Sequence, residues 1–105
     1  MAQFDDRVRG EEARFAMTAE LAFKAEARRN KLFGLWVADK LGLSGEAASA
    51  YARDIVAAEL EGPGRVAAKI TADLTAKNLP VNEAELRGKL AELMAEAVAQ
   101  VQAGR

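Results

Sequence analysis

Apolar side chains recur along this chain at intervals of three and four, and nowhere do apolar and polar residues alternate over the length of a strand. That period predicts helices and no sheet. Between about 18 and 41, Leu21, Ala25, Leu32, Leu35 and Trp36 fall within an arc of about 100°, a stripe fit to face a core. Gly42 stands where a left-handed residue ends the helix, and Ser44 suits the N-cap of a second helix over about 45–60. That helix turns Ala48, Tyr51, Ala52, Ile55 and Val56 inward. Glu61–Gly64 reads EGPG, two glycines around a proline, and is a firm break. A third helix over about 65–77 carries Val66, Ile70 and Leu74 on one face, with Asn78 as its C-cap and Pro80 barring continuation. The last helix, about 83–102, opens with Asn82 three residues before Glu85, and Val81 is placed to pack on Leu86. Its stripe is Leu86, Leu90, Leu93, Ala97 and Val101, with Met94 and Val98 beside it. Four helices joined by short loops predict an all-α fold, a four-helix bundle with antiparallel neighbours over 18–105.

Residues 1–17 break this regularity. Phe4, Val8 and Phe15 share one helical face, and Asp5 and Asp6 suit a helix N-terminus. Gly10 costs a helix about 1 kcal/mol, and a short isolated helix is marginal in water. A partly ordered helical arm is expected. Following the core stripe backwards in sevens from Leu35 gives Arg28, Leu21, Arg14 and Arg7, so core character is lost before Leu21. Phe4, Val8 and Phe15 point roughly 100° away from it. The arm is amphipathic, but its apolar face is not the bundle's. Such a face either folds back on its own domain or is kept for a partner.

Composition removes most chemistry. Among 105 residues there is no Cys and no His, which excludes disulfides, thiolate nucleophiles, Cys/His zinc sites and every His-dependent triad. Net charge is −1, with 30% of residues charged, so no overall field steers the chain to nucleic acid. The cluster Arg28, Arg29, Lys31 shares its helix with Glu20 and Glu26 and reads as a solvated, salt-bridged face. Neighbouring carboxylates such as Asp5–Asp6 and Glu11–Glu12 diverge by about 100° on a helix and cannot share a substrate. The glycines at 42, 45, 62 and 64 punctuate helices, and no glycine-rich phosphate loop exists. The chain therefore reads as no enzyme, with no catalytic, metal or cofactor site. Trp36 is expected mostly buried, its indole N–H meeting a partner at the rim. Phe23 lies opposite the stripe, either under another helix or in an exposed patch. The first residues are charged and no run is apolar enough to span a bilayer, so a cytoplasmic protein with no membrane insertion is expected.

Several stretches resemble a known family. FDDR at Phe4–Arg7, EARFA at Glu12–Ala16, FKAEARRNKLFGLW at Phe23–Trp36 and ADKLGLSG at Ala38–Gly45 closely resemble the zeta subunit of alphaproteobacterial F-type ATP synthases. Looser similarity continues through AYARDIVAAELE at Ala50–Glu61 and the final helix, whereas the loop EGPGRVA departs from the family's longer, more acidic pattern. The resemblance implies a four-helix bundle whose N-terminal arm inhibits ATP hydrolysis. The arm would become helical on entering an interface between catalytic head subunits, near the central stalk. It further implies Phe4, Val8 and Phe15 as anchors, with Asp5, Arg7, Glu11, Glu12 and Arg14 supplying charge complementarity. The bundle would be held by Leu21, Leu32, Leu35, Trp36, Tyr51, Ile55, Ile70, Leu74, Leu86, Leu90 and Leu93. Free in solution the protein is expected as a monomer with weak self-association through the arm. The reading from residues alone leaves a second possibility, a generic helical adaptor or small-ligand module with a frayed N-terminus.

Overall fold

A computed structural model describes residues 18–104. Four helices account for most of them: α1 (Ala19–Lys40), α2 (Gly45–Glu61), α3 (Arg65–Ala76) and α4 (Glu83–Gln102). Among the described residues there is no strand. The expectation of a partly ordered arm over 1–17 lies outside the described residues.

Each helix starts and stops for a local reason. Thr18 caps α1, its hydroxyl accepting from the Leu21 N–H at 3.2 Å. At the other end Gly42, at φ +81°, lets the chain turn back so that the Leu43 N–H reaches the Ala38 carbonyl at 2.9 Å. Ser44 occupies the N-cap position of α2 without making a side-chain capping bond. Asn78 is not the C-cap of α3. Lys77 takes that place, and Asn78 follows it at φ +57°, where the Leu79 N–H closes onto the Leu74 carbonyl at 2.9 Å. Asn is among the few residues that tolerate this left-handed turn. Asn82 caps α4 by accepting from the Glu85 N–H at 3.0 Å, while the Glu85 carboxylate reaches Lys40 on α1, also at 3.0 Å.

The helices are arranged around α1. Arg29 pairs with Glu59 and Gly34 lies against Ala52, so α2 runs antiparallel to α1. Arg28 donates to Gln100 and Lys40 pairs with Glu85, so α4 is antiparallel to α1 on another side. α3 packs mainly on α2. The core gathers Phe33, Val37, Tyr51, Ile55, Ile70, Leu74 and Leu93, with Leu32, Trp36, Leu86 and Leu90 half-buried against it.

Here the stripe expected on α1 needs correcting. Leu21, Leu32, Leu35 and Trp36 are only half-buried, and full burial falls on Ala25, Asn30, Phe33, Gly34, Val37 and Ala38. A helix with neighbours on two sides has two apolar faces, and a search for one stripe finds the larger aliphatic residues of only one of them. Trp36 stacks on Phe33 at 5.7 Å between ring centroids and lies beneath two ammonium groups, Lys40 at 4.6 Å and Lys89 at 5.6 Å. Its π-face supplies the polar contact that was expected of its indole N–H.

Tyr51 ties α3 to α2. Its hydroxyl donates to the Asp73 carboxylate at 2.7 Å, and Lys69 approaches the same oxygen at 3.2 Å while lying 5.2 Å from the Tyr51 ring centroid. Burial, then the hydrogen bond to Asp73 and the negative charge of Asp73 and Asp54, push the phenol above its ordinary value. Because the folded value is the higher one, the unfolded chain releases this proton first. The stabilisation is complete below about pH 10 and is lost as pH rises beyond it. Denaturant unfolding at increasing alkaline pH should show a steeper loss of stability for the native protein than for Tyr51→Phe.

Candidate interaction site

The residues named for the arm, Phe4, Asp5, Arg7, Val8, Glu11, Glu12, Arg14 and Phe15, lie outside the described residues. Those named for the core are all placed. Tyr51, Ile55, Ile70, Leu74 and Leu93 are buried, whereas Leu21, Leu32, Leu35, Trp36, Leu86 and Leu90 are half-buried. The two arginines of the basic cluster reach different helices. Arg28 donates to Gln100 at 2.9 Å, and Arg29 donates to Asn30 Oδ1 at 3.2 Å while facing Glu59 at 3.8 Å. With the two arginines turned to separate partners, the cluster makes no phosphate cradle.

Asn30 was not foreseen. It is 1% exposed at the centre of α1, and its Oδ1 is taken by Arg29 while its Nδ2 has no partner among the described residues. Burying an amide N–H without a partner costs roughly 1–3 kcal/mol. In the sequence only its spacing, three residues before Phe33 and seven before Val37, could have marked it.

The surface next to the start of α1 is of another kind. Phe23 is 61% exposed, which answers the question its position in the sequence left open. It borders an open groove of about 500 Å³ formed where the first turns of α1 meet Val56 of α2 and Val101 of α4. Leu60, near the end of α2, is the other large apolar side chain left exposed among the described residues. No group of three or more side chains able to hold a metal ion exists among the described residues, and no helix of the described residues is long and apolar enough to cross a membrane.

These features define a class: a small helical protein whose notable surface is an apolar groove beside the root of an amphipathic N-terminal segment. Comparison with known proteins then gives the family. The model for ATPase inhibitor subunit zeta matches residues 1–100, and the chain belongs to that family. A protein whose structure was solved in solution by NMR is 50% identical, with the alignment covering 79% of this chain and 96% of that one at a TM-score of 0.68. No match was found among curated proteins. Membership of an inhibitor family supports a role as an ATPase inhibitor and not as a catalyst.

Proposed function

We propose that this protein inhibits ATP hydrolysis by the F-type ATP synthase by inserting residues 1–17 as a helix at an interface between catalytic subunits of the head, near the central stalk. The supporting observation is that the family match spans the arm as well as the helices, covering residues 1–100. Such an interface must open and close in each catalytic cycle, so a helix wedged into it stops the cycle without any chemistry of its own. Phe4, Val8 and Phe15 fill apolar pockets there, and Asp5, Arg7, Glu11, Glu12 and Arg14 set register against the walls. The four helices dock on the outside of the head and hold the arm at high effective concentration. On this reading the protein works in the cytoplasm, at the membrane periphery, through its attachment to the synthase.

Phe15→Asp tests the proposal. A charge forced into a desolvated anchor pocket should weaken inhibition of the purified ATPase head at least about tenfold, near 1.4 kcal/mol, while the four helices stay folded. Full inhibition by the variant, or a large loss of stability, would place Phe15 elsewhere.

A further inference from the structure

The groove beside Phe23 is built for an apolar strip with acidic neighbours. Leu21, Ala27, Val56 and Val101 line it together with Phe23, whose ring lies largely in solvent. Its rim is cationic, formed by Lys24, Arg28 and Lys31. Lys24 pairs with an exposed Glu20 at 3.2 Å, a contact that solvent and salt weaken. Lys31 is exposed and has no ion pair among the described residues.

The occupant is indicated by what is tethered beside the groove. At Thr18 the backbone takes φ −59°, ψ 157°, a non-helical corner at which α1 begins. Phe23 stands about 7.5 Å along the helix from that corner, and Phe15 has about 10 Å of extended chain with which to return from it. Phe15 therefore reaches Phe23 over a single turn of chain. Wound as a helix, residues 1–17 present Phe4, Val8 and Phe15 on one face, with Asp5 and Glu12 together on one flank and Arg7 and Arg14 on the other. The acidic flank suits the Lys24–Lys31 rim and leaves the basic flank toward water. A tether this short gives the segment a local concentration in the millimolar range, beyond what a free competitor reaches.

We infer that the groove is the resting seat of the chain's own residues 1–17, which leave it to engage the ATPase. The seat and the ATPase interface then compete for the same three apolar side chains. This rests on the reading of the arm as the inhibitory element, and its test includes a readout that needs no ATPase. The full chain lacks cysteine, so a nitroxide on Ala13→Cys is a unique label on the arm's polar side. It should broaden the amide resonances of Ala27, Val56 and Val101, equally at high and low protein concentration. The broadening should fall in Lys31→Glu and vanish in Phe23→Asp, which alters an exposed residue and leaves the fold intact. In the inhibition assay Phe23→Asp should act more strongly than the native chain, about tenfold if the arm is seated roughly 90% of the time. Absence of broadening overturns the seat, and broadening that disappears on dilution overturns it in favour of a second copy of the chain. Weaker inhibition by Phe23→Asp also overturns it, because the groove would then receive the ATPase itself. Broadening in a chain that inhibits nothing keeps the seat and removes the inhibitory reading instead.

Discussion

Gly34→Ala should destabilise the protein by about 1–3 kcal/mol, although alanine is the better helix former by about 1 kcal/mol. A Cβ built at Gly34 lies 2.7 Å from the Ala52 Cα, and 3.2 Å from both the Ala52 Cβ and the Ile55 Cγ1. The nearest atom belongs to backbone, so no rotamer change relieves the clash and α1 and α2 must move apart. A separation of even 0.5–1 Å forfeits about a quarter to a half of each dispersion contact across the seam. That loss falls on Phe33, Val37 and Ile55, which are 0–1% exposed. Gly88→Ala is the matched control. It lies exposed on α4, an added Cβ meets nothing within 4 Å, and the same substitution there should raise stability by up to about 1 kcal/mol. At about 4–8 °C per kcal/mol, the thermal midpoints of the two variants should move in opposite directions by readily measured amounts. If both rise, the close approach of α1 and α2 is wrong.

Gly34 also shows where reading the sequence stops. The helices themselves were legible because their ends are marked by local chemistry: Gly42 at φ +81°, the Asn82 cap on the Glu85 N–H, and the EGPG break. The inward faces of α3 and α4 were legible for a related reason, since each has a single face of aliphatic residues at helical spacing. α1 was harder. Packed by α2 and α4 at once, it spends Gly34 and Ala38 on closeness and Phe33 and Val37 on volume, and small residues leave no trace in a count of aliphatic ones. In sequence Gly34 looks like a weakness in a helix, and only its juxtaposition with Ala52 turns it into a contact. The same limit applies to Asn30 and Arg29, whose pairing with each other depends on what α2 brings beside them. For the candidate site, the sequence separated Phe23 from the core stripe but could not say whether another helix covered it. That depends on how far α2 and α4 extend along α1.

Deleting residues 1–17 should abolish inhibition of the ATPase head while leaving helicity and thermal midpoint almost unchanged. The structural half of this expectation rests on α1 being complete from Thr18 onward. Its Leu21 N–H is capped by the Thr18 side chain, and the large buried apolar side chains among the described residues lie at Phe33 or beyond. The truncated chain thus keeps its caps, its seam and the Tyr51–Asp73 tie, and loses at most what the arm contributes by resting on an exposed groove. The functional half rests on the arm carrying all three proposed anchors. If each contributes even the 1 kcal/mol that separates hot spots from bystanders, their joint removal weakens binding by more than about a hundredfold. The outcomes separate the two possible uses of the apolar face on Phe4, Val8 and Phe15. A truncated chain that melts far lower would show that the face completes the bundle. One that melts as before and inhibits as before would show that the four helices suffice, and that the arm is neither core nor wedge. Only an intact fold without inhibition agrees with a bundle that stays docked while its arm does the stopping.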